Sequence, residues 1–199
     1  MSKEKIHIFD TTLRDGAQTQ GVDFSIDDKL KIAKALDDLG VDYIEGGWPG
    51  ANPTDTEFFQ KKIKLNNSIL TAFGMTKKSG RSADNDPGLS SLLNSNTSAV
   101  CLVGKSWDFH VDVALGISNE ENLENISESA KLFVKEKKEF MFDAEHFFDG
   151  YKANPKYAIS CIKAAYDQGA RWVVLCDTNG GTLPHEVTKI VSEVSKIVP

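Results

Sequence analysis

Six short apolar runs recur along the chain, and each is followed by a segment in which apolar residues return every three or four positions. The runs are apolar throughout rather than alternating with polar residues, which is typical of parallel strands covered on both faces. The pattern predicts strands at residues 6–12, 42–47, 69–74, 99–104, 139–146 and 172–178.

The segments between these runs predict helices, and two of them have clear ends. Ser25 is a suitable N-cap for a helix that continues to Gly40, a residue that favours a helix stop. A last helix begins at Pro184, which fits a first helical turn. The apolar residues of that last helix share one stripe: Val187, Ile190, Val191, Val194, Ile197 and Val198.

Repeated strand–helix–strand units indicate right-handed crossovers on a parallel sheet. A doubly wound sheet and a (β/α)8 barrel both fit this repeat. A doubly wound sheet usually has a glycine-rich phosphate turn after its first strand, but this first strand runs into Arg14 and Asp15 without a GxGxxG motif. Polar residues follow several other strands, where a barrel carries its site. We therefore expect an α/β fold, an incomplete (β/α)8 TIM barrel with about six units in residues 1–199.

Composition narrows the class of protein only a little. The chain has 199 residues, of which 40% are hydrophobic and 26% charged, as in an ordinary soluble globular protein. A formal net charge of −6 argues against a nucleic-acid partner. No apolar run approaches the roughly 18 residues of a membrane span, so we expect no membrane association. Cys101, Cys161 and Cys176 form no CxxC pair, which favours reduced thiols and a cytoplasmic location.

Candidate chemistry is concentrated at the end of the first run, in FDTTLRDGAQTQG at residues 9–21. Asp10, Thr12 and Arg14 have the same parity along the strand, and Asp15 follows them. A carboxylate at a strand end can bind a hard divalent cation through oxygen. An arginine beside it can neutralise an enolate or bind a carboxylate with two parallel donors. The spacing alone fits a strand-end salt bridge and a turn equally well.

The same stretch resembles the first-strand signature of the α-isopropylmalate, homocitrate and citramalate synthases. This barrel family also contains the hydroxymethylglutaryl-CoA lyases. The segments YIEGGWPGANPTDTEFF at 43–59 and CDTNGGTLP at 176–184 resemble the citramalate synthase branch in particular. The lyases usually have a proline before the arginine, and Leu13 at this position favours a synthase.

The resemblance implies roles for residues at four strand ends. Asp15 would be a ligand of a divalent metal (Mg, Mn or Zn), Arg14 would face the substrate keto oxygen, and Gln18 would line the same pocket. The further residues that match substrate-site positions of the family are Glu45, Glu145 and Thr178. Glu145 is the candidate general base, although a residue beyond position 199 is an alternative.

The resemblance also implies an activity. The expected reaction condenses acetyl-CoA with pyruvate and hydrolyses the thioester to give citramalate, for isoleucine biosynthesis in the cytoplasm, with a homodimer as the full-length form. Alternatives within the superfamily are 2-isopropylmalate synthase, with 2-oxoisovalerate as acceptor for leucine biosynthesis, and a lyase-like enzyme. A non-catalytic barrel fragment is the alternative from another class.

The histidines depart from the family pattern. The family places two further metal ligands in an HxH motif on strand seven, whereas His7, His110, His146 and His185 do not form one. We therefore expect strands seven and eight and the C-terminal regulatory domain to lie beyond residue 199, and the 199-residue chain itself to be inactive. Strand alternation points His146 away from Glu145, which favours a structural role, and His110 falls in a loop.

Overall fold

The computed structural model describes residues 5–199, in which strands and helices alternate along the chain. The six strands are β1 Phe9–Asp10, β2 Tyr43–Gly47, β3 Ile69–Met75, β4 Ala99–Lys105, β5 Glu139–Glu145 and β6 Trp172–Leu175. The helices are α1 Ile26–Leu39, α2 Pro53–Gln60, α3 Pro87–Leu93, α4 Asp108–His110, α5 Asn119–Lys135, α6 Phe147–Ala153, α7 Pro155–Tyr166 and α8 Pro184–Val194. Short 3-10 turns at Gly16–Gln18 and Ala83–Asn85 and a π-helical turn at Val111–Leu115 complete the elements.

The strands form one sheet in strictly sequential order, from β1 to β6. The pairs β1–β2, β2–β3 and β5–β6 are parallel. A doubly wound sheet reverses its strand order at a switch point, and this sheet has no reversal among the described residues. Sequential parallel strands joined by helices are the arrangement of a barrel. The prediction of an incomplete (β/α)8 barrel is confirmed.

The described residues form two compact units. The first contains residues up to Gly74 together with Ser90–Val100. Its core residues include four that are fully buried: Leu13, Ala33, Ile44 and Phe58. Helix α1 begins as predicted, because Ser25 Oγ accepts a hydrogen bond from the Asp28 backbone N–H at 3.2 Å and the Asp28 carboxylate accepts from Ser25 N–H. It ends at Gly40 in a left-handed conformation, with φ 86°.

The second unit contains Met75–Leu89 and Cys101–Pro199. Its core includes the rings of Phe133 and Phe140, which stack with an interplanar angle of 7° and centroids 6.1 Å apart. Helices α5 and α7 pack against each other, and both contribute fully buried residues, such as Ile126 and Cys161. None of the three cysteines forms a disulfide within the described residues. Among the described residues, no helix is long and apolar enough to cross a membrane.

Strand β1 and helix α8 are shorter than the sequence predicts, and strand β6 ends at Leu175 instead of residue 178. Strand β1 has two residues instead of seven. At its carboxyl end, the Asp10 carboxylate accepts from Thr12 N–H at 2.9 Å and turns the chain out of the sheet. Ile6 and Ile8, at the start of the predicted strand, remain 87% and 57% exposed. Helix α8 ends at Val194. Its predicted stripe is only partly buried, since Val191 and Ile197 are exposed.

Candidate active site

The loop after β1 is built around one backbone carbonyl. Thr11 O accepts hydrogen bonds from the backbone N–H groups of Arg14, Asp15 and Gly16, at 2.9–3.1 Å. This tight turn buries Leu13 completely. It therefore presents the next two side chains, Arg14 and Asp15, immediately after the carboxyl end of the strand.

The Arg14 guanidinium is held on three sides. Its Nε donates to Glu45 Oε2 at 2.6 Å, and its Nη1 donates to Asp15 Oδ1 at 3.0 Å. Its Cζ lies 3.9 Å from the centroid of the Phe73 ring, a cation–π contact. The Glu45 side chain is completely buried, whereas that of Arg14 keeps 16% of its surface exposed. Nη2 has no acceptor among the described residues, so two N–H groups of this fixed fork are available to an anion.

A buried lysine fixes the backbone around this arginine. Lys29, on α1, is 3% exposed and donates to Leu13 O at 2.9 Å and to Gly46 O at 3.0 Å. Its third contact is an ion pair with Asp55. The ammonium therefore connects the residue before Arg14 with the residue after Glu45. Lys29 is not among the residues predicted from the sequence, although it follows Ile26 by three positions and so shares the buried face of α1.

A cavity of about 430 Å³ lies beside Arg14 in the first unit. Gln18, which the resemblance places in the same pocket as Arg14, also lines this cavity and is exposed. Trp48 and Asn52 line it as well. Its wall therefore combines a cation, amides and an aromatic ring, groups that suit a small polar ligand.

Asp15 fits the role of one metal ligand that the resemblance implies. Its side chain is 62% exposed, and Oδ2 accepts no hydrogen bond from the described residues. Carboxylate oxygen is a preferred donor for hard divalent cations. His7, the histidine of the first unit, pairs with Asp42 at 3.1 Å instead. Asp15 would therefore supply one donor, and a complete coordination sphere would need others.

In the second unit, the carboxyl end of β5 carries Glu145. Its carboxylate forms an ion pair with Lys105, the last residue of β4. Its backbone carbonyl accepts from Ser106 Oγ at 2.7 Å and from Ser106 N–H at 3.3 Å. An ion pair and hydrogen bonds thus join the ends of two neighbouring strands. The Glu145 side chain remains 26% exposed.

Thr178 lies beside the same strand end. Its Oγ1 accepts from the backbone N–H of His146 at 2.9 Å, so the loop after β6 is fastened to the residue after Glu145. The first unit therefore brings together Arg14, Asp15, Gln18 and Glu45, and the second brings Glu145 close to Thr178. Their roles toward substrate and metal stay predictions.

Fold and site together define a (β/α)8-type barrel protein with charged and polar side chains at the carboxyl ends of its strands. The family model described as HMGL-like matches residues 5–199. The chain therefore belongs to the HMGL-like family.

Individual relatives agree with this assignment. An (R)-citramalate synthase of Aquifex aeolicus is 54% identical over 195 residues, which cover 97% of this chain and 37% of that protein. A 2-isopropylmalate synthase of Sulfolobus acidocaldarius is 29% identical, over 99% of this chain and 49% of that protein. A solved hydroxymethylglutaryl-CoA lyase of Acinetobacter baumannii, in complex with coenzyme A and 3-methylmalate, superposes with a TM-score of 0.76 at 20% identity, covering 96% of this chain and 63% of that one. The chain thus spans little more than a third of the citramalate synthase that it matches.

Proposed function

We propose that the chain is the N-terminal part of the catalytic barrel of a citramalate synthase, with barrel strands seven and eight and a regulatory domain supplied beyond residue 199. The reaction is the condensation of acetyl-CoA with pyruvate, followed by thioester hydrolysis, in isoleucine biosynthesis. The observation that carries this proposal is the 54% identity to an (R)-citramalate synthase over 97% of the chain, against 29% to a 2-isopropylmalate synthase.

Arg14 has the central electrostatic role in this reaction. Attack of the acetyl-CoA enolate on the keto carbon turns the keto oxygen into an alkoxide. The unused N–H groups of Arg14 stabilise that developing charge, and a donor of this kind contributes about 10²–10³-fold to turnover. Because Glu45 and Phe73 already fix the guanidinium, little reorganisation is needed during the reaction.

The remaining residues bind and orient the substrates. Asp15 holds a divalent metal (Mg, Mn or Zn) with ligands from elsewhere in the complete protein, and the bound metal would polarise the keto group. Gln18 binds pyruvate in the cavity beside Arg14, and Thr178 donates its hydroxyl to the substrate carboxylate. Glu145 accepts a proton from the acetyl-CoA methyl group, which produces the enolate.

The comparisons also support the choice of co-substrate. The lyase of the same fold binds coenzyme A, which supports acetyl-CoA as the acyl donor. We propose a cytoplasmic enzyme that forms a homodimer as the full-length protein and has no nucleic-acid or membrane partner. The isolated 199 residues are proposed to be inactive, because Asp15 alone binds a divalent cation weakly.

The experiment is a comparison of acceptors with the complete protein. Acetyl-CoA, Mn²⁺ and either pyruvate or 2-oxoisovalerate are supplied, and release of the coenzyme A thiol is followed with a thiol reagent. We expect faster release with pyruvate, with some turnover of the larger acid, since a small difference in apolar bulk discriminates only about 10–200-fold. Equal rates would favour 2-isopropylmalate synthase, and no release with either acid would favour a lyase-like or non-catalytic protein.

A further inference from the structure

His146 has a backbone conformation that side chains rarely adopt. Strand β5 ends at Glu145, and His146 follows it with φ 55° and ψ 34°, in the left-handed region. Strand alternation predicts that His146 points away from Glu145. That prediction does not apply, because His146 is not part of the strand. Hydrogen bonds fix this turn, since His146 N–H donates to Thr178 Oγ1 and its carbonyl accepts from Gly150 N–H at 2.9 Å.

The imidazole of His146 is oriented by a carboxylate. Nδ1 lies 3.0 Å from Asp149 Oδ2, and the same oxygen accepts from Asn179 Nδ2 at 3.0 Å. Burial raises the pKa of Asp149, but the hydrogen bonds from His146 and Asn179 outweigh it, so the net shift is downward. An ionised Asp149 keeps the proton of the neutral imidazole on Nδ1, and the lone pair is then on Nε2.

The Nε2 atom of His146 has no hydrogen-bond partner among the residues that the structure describes. The ring is packed between aromatic neighbours, with the His110 centroid at 4.5 Å and the Trp107 centroid at 6.0 Å. The side chain keeps 14% of its surface exposed, so a water molecule can reach it. Charged groups near the imidazole include Asp149, which contacts it, the adjacent Glu145 with its partner Lys105, and Lys152, which acts on Asp149.

Helix capping does not explain a histidine here. His146 is the N-cap of α6, yet its side chain makes no capping hydrogen bond with the described residues. Glycine forms a left-handed turn at the lowest cost, and asparagine, aspartate and histidine are the other residues enriched there, so the turn alone does not select histidine. An imidazole with one nitrogen held by a carboxylate and the other available is the arrangement of a general base.

We propose that His146, oriented by Asp149, is the general base that activates water in the thioester hydrolysis. This inference rests on the proposed function. His146 Nε2 accepts a proton from water while the water oxygen forms a bond to the thioester carbonyl carbon. The carbon–sulfur bond then breaks, and the imidazolium returns the proton to the coenzyme A sulfur. The products are the free carboxylic acid and the coenzyme A thiol, and no oxidant or further reactant is needed.

This assignment gives the two proton transfers of the reaction to two neighbouring residues. Glu145 serves the carbon–carbon bond, and His146 serves the hydrolysis that follows it. The turn at His146 presents both residues at the same strand end, beside Thr178. Asp149 is a positioning residue, because it acts only through the imidazole.

The test uses the complete protein and separates the two steps. His146→Asn keeps a residue that tolerates the left-handed turn but has no basic nitrogen, and Asp149→Asn leaves that turn untouched. Synthetic citramalyl-CoA is supplied, and thiol release is measured against pH. In a second assay, acetyl-CoA and pyruvate are mixed with the enzyme, and citramalyl-CoA is quantified by mass spectrometry after quenching. His185→Asn, at an exposed position on α8, is the matched control.

We expect His146→Asn to slow citramalyl-CoA hydrolysis by about 10²–10⁴-fold and to accumulate citramalyl-CoA in the second assay. Asp149→Asn should slow hydrolysis by about tenfold or more and change its pH profile, since the imidazole loses its orientation. Hydrolysis at the wild-type rate in both variants would overturn the inference, and so would an equal loss of both steps without accumulation. If His146→Asn does not fold, Asp149→Asn decides the question by the same criteria. Failure of the wild-type protein to form citramalate would instead reject the proposed function.

Discussion

Arg14 and Glu45 lie 31 positions apart in the chain, yet Nε of Arg14 donates a 2.6 Å hydrogen bond to Oε2 of Glu45. One residue follows β1 and the other lies within β2. The hydrogen bond to Glu45 leaves Nη2 of Arg14 available, and the Phe73 ring packs against a face of the guanidinium. The orientation of the candidate catalytic cation therefore depends on the parallel register of two strands.

Replacement of Arg14 by lysine tests whether turnover depends on the oriented guanidinium. Arg14→Lys keeps the charge but loses the planar fork, so one ammonium cannot contact both Glu45 and a substrate oxyanion in the same geometry. We expect turnover of the complete protein to fall by about 10²-fold or more, as when an oxyanion donor is removed. The measurement is kcat for pyruvate-dependent thiol release.

Arg81→Lys is the matched control, because this arginine is exposed and, within residues 5–199, only its backbone carbonyl has a side-chain partner, Lys77. Its turnover should stay close to that of the wild type. Near-normal turnover of Arg14→Lys would show that Arg14 is a structural partner of Glu45 and not part of the chemistry.

The buried Lys29–Asp55 pair predicts a large effect on stability. Lys29→Met leaves the Asp55 carboxylate with hydrogen bonds from Trp48 and Asn52 but without its counter-charge. Removal of one partner of a buried pair costs about 3–5 kcal/mol. We expect the midpoint of denaturant unfolding to fall accordingly.

Lys31→Met provides the comparison, since Lys31 is exposed on the same helix. Its unfolding midpoint should barely change. The double variant Lys29→Met/Asp55→Asn should recover part of the loss, because no buried charge remains unpaired. Equal midpoints for Lys29→Met and Lys31→Met would contradict the assignment.

The order and type of elements followed directly from local patterns. Buried parallel strands need continuous apolar runs, and all six strands lie within or next to the predicted runs. The end of α1 was also predictable, because Ser25 and Gly40 act through neighbouring backbone groups. Strand β1 was overestimated because the turn that ends it depends on a side-chain contact of Asp10, which competes with an apolar run.

The candidate site was only partly predictable. The residues that match the family motif were found, but their partners are distant in sequence, as with Lys29 beneath the Arg14 loop. The prediction of a structural role for His146 depends on a strand that extends to residue 146, whereas β5 ends at Glu145. A single left-handed residue reverses the side on which a side chain lies, and apolar periodicity contains no information about such a turn.

Substitution of Gly150 should cause a steric clash in the second unit. A Cβ at this position would lie 2.5 Å from Ser106 O and 2.9 Å from Trp107 Cα, both rigid backbone atoms. Gly150→Ala lies within α6, where alanine normally stabilises a helix by up to about 1 kcal/mol. Here we expect Gly150→Ala to destabilise the protein, because α6 must move away from the loop that follows β4. Thermal unfolding should show a lower midpoint for Gly150→Ala and little change for Gly181→Ala, where a Cβ meets no atom within 4 Å. A raised midpoint for Gly150→Ala would contradict this packing.

The lowered pKa of His110 predicts how the free energy of unfolding depends on pH. Burial lowers its pKa from the ordinary value of 6.5, and the nearby His146 and Lys105 lower it further, against the smaller opposing effects of Glu145 and Asp149. The unfolded chain therefore binds a proton at His110 more readily than the folded chain does. Its contribution to stability is complete above pH 6.5 and is lost as the pH falls through the folded pKa. The free energy of unfolding, measured between about pH 5 and 8, should decline more steeply on acidification for the wild type than for His110→Phe. A difference between the two curves that is independent of pH would refute the prediction.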